Sequence, residues 1–347
     1  MQKILDDNTA LVSYFIAENS KRLYSFIITR SRFRLYSSKL PDDFDRLVKG
    51  FNNSLYYTVY ASYRESNNAL SKLLLRGVPS GAKELVIIPA GRLSTLPFEA
   101  LSTETVSEEM SFQSLPYLIN KYGISYEFSA GLILQKSKNT EGKQLQSIFL
   151  CAPITFPEKD NLVDLPGTKQ EIENIAKLFP SNALVASGME ANEALVKSGQ
   201  TMNYRYLHFA THGVVDEASP ELSRIFLQAT DNEDGNIFSG EIFNLKLNSE
   251  LTVLSACQTG LGKFSKGEGV IGLSRALVYA GSKNIMVSYW SVADESTSIL
   301  MTDFYSNLLK QPSPDFRLAL QQAKVNMLKG GKYITPYYWA PFVLIGF

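Results

Sequence analysis

Apolar and aromatic residues dominate two runs, Ala10-Leu11-Val12-Ser13-Tyr14-Phe15-Ile16-Ala17 and Arg22-Leu23-Tyr24-Ser25-Phe26-Ile27-Ile28, which read as strands. Glu18-Asn19-Ser20-Lys21 between them favours a turn, so residues 9–36 read as a hairpin with a third strand over 32–36. The spacing then becomes helical over 42–53 and 61–76, where Leu70, Leu73 and Leu74 recur on one face. Residues 84–88 form a short apolar run stopped by Pro89, and Gly91 opens the loop beyond it. A further strand is predicted over 124–128, then a short helix near Leu132.

The stretch 136–143 is polar and without period, which places a domain boundary there. Beyond it the pattern predicts strands at 147–152 and near 183, 205, 225, 251 and 284. Helices are predicted at 168–179, 267–280, 294–309 and 314–329. Strands alternating with helices define an α/β protein with a mostly parallel sheet flanked by helices and right-handed crossovers. No internal period of about 20–50 residues marks a solenoid.

Composition narrows the classes. Hydrophobic content of 45% and charged content of 20% fit a globular chain of 347 residues with room for one large or two medium cores. Lys plus Arg equals Asp plus Glu at 34 each, so no net field draws in nucleic acid or an anionic membrane. No segment reaches the ~18 uncharged apolar residues of a membrane span. Acids near Met1, at Asp6 and Asp7, interrupt what a signal peptide would need as an apolar core. Two cysteines make no disulfide framework, and a cytoplasmic location is expected.

The chemistry concentrates at the ends of two apolar runs. Tyr206-Leu207-His208-Phe209-Ala210-Thr211-His212-Gly213 stops at His-Gly, and Leu251-Thr252-Val253-Leu254-Ser255-Ala256-Cys257-Gln258-Thr259-Gly260 carries a cysteine just past its run. Parallel strands deliver such carboxyl-end residues to one crevice. An imidazole beside a thiol raises its reactive thiolate fraction, so Cys257 is the candidate nucleophile and His212 the candidate base. Cys151, inside an apolar strand, reads as a small buried hydrophobe. His208, four positions before His212 on the same strand face, reads as a core histidine that packs near the site. Two histidines and two scattered cysteines give no zinc spacing, so no metal and no cofactor are expected.

The chain resembles the CHAT-domain proteins, the bacterial branch of the caspase-like cysteine peptidases that also contains separase. The resemblance rests on Leu96-Pro97-Phe98-Glu99-Ala100-Leu101, the His208–Gly213 and Leu254–Gly260 segments, Gly267-Glu268-Gly269-Val270, Ser288-Tyr289-Trp290-Ser291-Val292-Ala293-Asp294 and the stretch 337–346. It implies a caspase-like fold in two halves, a degenerate half over 1–140 and an active half over 141–347. It also implies a dyad of His212 and Cys257 and an oxyanion hole from the backbone N–H groups of Gly213 and Cys257. Lacking a Cβ, Gly213 is free to adopt positive φ and to approach a substrate carbonyl. Asp294 is similar to the acidic stretch that shapes the first specificity pocket of separase-like enzymes, and Glu268 reads either as lining the same crevice or as a plain loop residue. Asp294-Glu295-Ser296-Thr297 reads equally as the start of a helix capped by Asp294.

The activity these residues imply is endoproteolysis through a thioester, with a protein as substrate. The family resemblance adds regulation by an activating protein or sensor complex and a role in bacterial antiviral defence. The loop of Asp216, Glu217 and Pro220 beside His212 reads either as an element ordered on activation or as a solvated connection. The rivals are a catalytically silent scaffold that binds a partner protein and a cysteine hydrolase of non-peptide amides. Asn232, Asp234, Gly235 and Glu241 sit at calcium-loop offsets, but Thr230 occupies the first position and a hairpin turn explains them better. Gly260-Leu261-Gly262-Lys263 lacks the residues of a phosphate loop. The aromatic run 333–342 reads as a closing strand.

Overall fold

The computed structural model describes residues 1–136, 146–216, 218–255 and 268–347. In chain order it begins with β1 (Thr9–Ala17), β2 (Arg22–Ile28), β3 (Phe33–Lys39), α1 (Phe44–Tyr56), α2 (Tyr60–Leu74), β4 (Glu84–Ile88), β5 (Gly123–Tyr126) and α3 (Ala130–Lys136). It continues with β6 (Ile148–Ala152), α4 (Pro166–Ala176), β7 (Ala183–Ser187), α5 (Glu193–Lys197), β8 (Tyr206–Phe209), β9 (Gly213–Val214), β10 (Arg224–Phe226) and β11 (Asn236–Phe238). Then come α6 (Ser239–Ile242), β12 (Leu251–Leu254), α7 (Glu268–Tyr279), β13 (Asn284–Ser288), α8 (Asp294–Leu309), α9 (Phe316–Lys329), α10 (Pro336–Trp339) and β14 (Phe342–Ile345). The chain divides into two compact units, Met1–Thr140 with Asp315–Phe347, and Glu141–Pro314. Residues 315–347, grouped on sequence with the second half, therefore pack with the first unit.

In the first unit the strand order is β3-β2-β1-β4-β5-β14. The β1–β2–β3 meander is antiparallel, while β4 runs parallel to both β1 and β5. The amphipathic α1 buries Phe44, Leu47, Val48, Phe51 and Leu55, and Phe51 meets Tyr63 of α2 at a ring separation of 5.5 Å. The Tyr14 hydroxyl donates to the Leu74 carbonyl at 2.8 Å, tying β1 to the end of α2. Lys324 of α9 is fully buried and ion-paired with Glu99 at 3.3 Å, and the Tyr126 hydroxyl also donates to Glu99. The expected closing strand over 333–342 is instead a helical turn, α10, followed by a strand that starts at Phe342. Pro336 sets the turn, and Trp339 drops onto Tyr117 with ring centroids 5.0 Å apart.

In the second unit five strands run parallel in the order β13-β12-β8-β6-β7. The runs that make β6, β8, β12 and β13 are buried along their whole length, as expected of a sheet covered on both faces. A small antiparallel sheet, β9–β10–β11, follows β8; the sequence pattern supplied only its middle strand. Among the described residues no helix is long and apolar enough to cross a membrane.

Candidate active site

Phe209 and Leu254, the last residues of β8 and β12, are parallel register partners. His212 and Cys257 each lie three positions beyond these partners. Cys257 itself is outside the described residues, as are Gly267 and Glu217; Glu268 opens α7.

His212 is buried, with 1% exposure. Its Nε2 meets the Val163 carbonyl oxygen at 2.6 Å. A carbonyl only accepts, so Nε2 carries the hydrogen and the neutral ring keeps its lone pair on Nδ1. Nδ1 is buried and finds no hydrogen-bond partner among the described residues. The Ser255 hydroxyl, just past β12, is another buried polar atom without one. Burial holds the His212 pKa below the usual histidine value, against the Val163 hydrogen bond and the charge of Asp294, which favour the proton.

The loop that supplies Val163 is firmly built. Leu165 N–H donates to the Ile154 carbonyl at 2.7 Å, Phe156 N–H to Asp164 at 3.1 Å, and Gln228 to the Thr155 carbonyl at 2.6 Å. Phe156 lies against the His212 ring with centroids 4.7 Å apart. Ile154 has φ of +70°, a region that β-branched residues avoid at a cost of about 1–3 kcal/mol. Sequence reasoning missed Val163 and Phe156, because a backbone carbonyl used as a ring orienter has no side-chain signature.

Gly213 lies in the extended strand β9, so the positive φ its lack of a Cβ would allow is not used. Phe226 N–H donates to the His212 carbonyl, which makes that pair hydrogen-bonded and Gly213–Ile225 the non-bonded pair of the same ladder. Hence the Gly213 N–H points away from β10.

Asp294 is the first residue of α8, and the cap position belongs to Ala293, so the self-capping alternative is not what forms. Its carboxylate instead accepts from the Gly167 N–H at 3.0 Å, at the start of α4. A carboxylate there complements the helix dipole of α4. A Cβ on Gly167 would stand 2.2 Å from the Asp294 Cβ, so only glycine permits this approach.

His208 is fully buried, with Nε2 at 2.8 Å from Glu171 and Nδ1 at 3.3 Å from the Tyr305 hydroxyl. It fills a polar network between α4 and α8, and both of its ring nitrogens are occupied. Cys151 is wholly buried and its thiol pKa is pushed up by burial. In the loop after β9, Asp216 accepts from the N–H groups of Ala218 and Ser219. The calcium-like offsets resolve into a hairpin: Glu241 pairs with Lys197 at 2.7 Å, and β10 pairs antiparallel with β11. Among the described residues no cluster of three or more potential ligands is arranged to hold a metal.

These features define an α/β protein of the caspase-like type. Its fold matches separase in the crystal structure of the Saccharomyces cerevisiae separase–securin complex, with a TM-score of 0.65, 11% identity, and coverage of 99% of this chain and 31% of that one. It also matches the Arg-specific cysteine proteinase gingipain R, with a TM-score of 0.51, 9% identity, and coverage of 88% and 74%. The CHAT domain model matches residues 64–347, and the chain belongs to that family. Among curated relatives, human tetratricopeptide repeat protein 28 is 25% identical over 308 residues and its mouse counterpart 24% over 311. The chain spans 12% of the length of each.

Proposed function

We propose that this chain is a cysteine endopeptidase in which Cys257 attacks a peptide carbonyl and His212 takes the thiol proton on Nδ1. The observation that carries this is the Val163 carbonyl on Nε2, which leaves the unpartnered nitrogen as the basic one. On collapse of the tetrahedral intermediate the same imidazolium protonates the leaving amine, and water then hydrolyses the thioester. The imidazolium keeps its Val163 hydrogen bond throughout, so ring orientation does not depend on a carboxylate. The N–H groups of Gly213 and Cys257 receive the oxyanion, a contribution of about 3–4 kcal/mol per donor.

Asp294 and Glu268 line the first specificity pocket in this reading, with preference for a basic residue, as the name of the Arg-specific neighbour suggests. Met1–Thr140 with Asp315–Phe347 is the degenerate half, and Glu141–Pro314 the catalytic one. The whole protein acts under the control of an activating protein or sensor complex, in antiviral defence of a bacterial cell; separase bound to securin offers the precedent for a protein partner.

A peptide acyloxymethylketone tests the chemistry. Adduct on Cys257, with labelling lost in both Cys257→Ala and His212→Ala and turnover reduced at least about 10³-fold, supports the dyad. Labelling that persists in His212→Ala ends it. An inert Cys257 in a folded, partner-saturated sample favours a silent scaffold instead.

A further inference from the structure

β3 is the edge strand of the first unit's sheet, and its outward side is a built acceptor for another strand. Leu40 N–H donates to the Lys21 carbonyl and Thr29 N–H to the Arg32 carbonyl. That register makes Leu23–Ser38, Ser25–Tyr36 and Ile27–Arg34 the hydrogen-bonded pairs with β2. Phe33, Leu35, Ser37 and Lys39 therefore turn their N–H and C=O groups away from β2, and β3 has no second neighbour among the described residues. An open row of this kind is normally covered, bulged or shortened.

The two faces of β3 differ in chemistry. On one, Phe33 and Leu35 stand 57% and 52% exposed, continuing across Phe26 to Phe15, itself 56% exposed. Phe33 packs on Phe26 with centroids 6.4 Å apart, and Phe15 on Tyr24 at 6.3 Å. On the other face lie Arg34, Tyr36 and Ser38. Arg76 sits over the Tyr36 ring at 5.2 Å, which Gly77 admits because a Cβ would meet that ring at 2.3 Å. A groove of about 960 Å³ opens there beside Ser38, lined by Lys72 and Arg76 against the single acid Glu104. Arg34, Lys72 and Arg76 have no ion-pair partner among the described residues.

We propose that β3 receives an extended segment of a partner protein in which acidic and apolar residues alternate. Its backbone completes the ladder, its apolar side chains cover Phe33 and Leu35, and its carboxylates face Arg34, Arg76 and Lys72. Alternation along the guest strand matches the alternation of the host faces. A second copy of this chain fits poorly, because its own β3, Phe33–Lys39, carries no carboxylate to face Arg34, Arg76 and Lys72.

The test uses the full chain and a fluorescent peptide of about ten residues that alternates glutamate and valine. Binding is expected by anisotropy at physiological salt, with at least about tenfold loss for the same composition in two blocks and for alternating lysine and valine. Leu35→Pro removes an outward donor without breaking a bond to β2, and Arg34→Glu reverses one charge; each is expected to weaken binding at least about tenfold with an unchanged thermal midpoint. The proposal is overturned if block and alternating peptides bind alike, or if Leu35→Pro and Arg34→Glu together leave affinity unchanged. It is equally overturned if single-stranded nucleic acid binds in a Phe33-dependent manner while the peptide does not, or if Leu35→Pro dissolves a dimer of the free protein.

Discussion

At the scale of single residues, His212 is the informative one. Its folded pKa lies below the unfolded value, so between the two the unfolded chain binds more protons. The stability carried by neutral His212 is present above the usual histidine pKa and is lost as pH falls towards the folded one. His212→Gln is expected to flatten the fall in thermal midpoint between pH 7 and pH 5. Thermal melts of both proteins across that range check it, and parallel slopes would count against the buried neutral ring. His212, Gly213 and Cys257 stood out as candidates in two short segments, because a nucleophile and a base must be particular side chains. Val163 was not, since any residue carries a carbonyl. The contact of Asp294 with the Gly167 N–H also escaped notice, because that partner lies 127 positions away in sequence.

At the scale of elements, the contact between the starts of α4 and α8 links packing to the site. Gly167→Ala places a methyl group where Asp294 already sits, and is expected to cost about 1–3 kcal/mol. Because the loop that carries Val163 leads into α4 at Pro166, turnover should fall with KM little changed. Urea unfolding and steady-state kinetics on one preparation read both. In the first unit, removing one member of the Glu99–Lys324 pair leaves a buried charge alone, so Lys324→Met is expected to cost about 3–5 kcal/mol. Burial already disfavours the ammonium form of Lys324. The double change Glu99→Leu with Lys324→Met should recover most of that loss by equilibrium denaturation. Long periodic helices were read well from sequence, as at Asp294–Leu309. The strands β9 and β11 were not, since runs of two or three residues have no period to detect.

For the molecule as a whole, the α/β class followed from the order of elements, whereas the return of the chain end to the first unit did not. Nothing in the composition of 315–347 says which sheet its final strand joins. That strand pairs Ile345 with Tyr126 of β5, and Arg317 of α9 pairs with Glu84 of β4 at 2.6 Å. Deleting 315–347 is therefore expected to unprotect the amides of β4 and β5 to the level of the unfolded chain. Protection of β6 and β8 should persist. Hydrogen exchange on the truncated protein reads both, and retained protection in β4 would contradict the assignment.

The same topology has a temporal side. On the ribosome, Glu141–Pro314 is contiguous and has all its strands once Pro314 has emerged. Met1–Thr140 is synthesised first yet must wait for β14, so it passes through translation with an incomplete core. The half proposed to carry the chemistry thus has the means to mature before the half made earlier, and the waiting segment is the natural client of a chaperone.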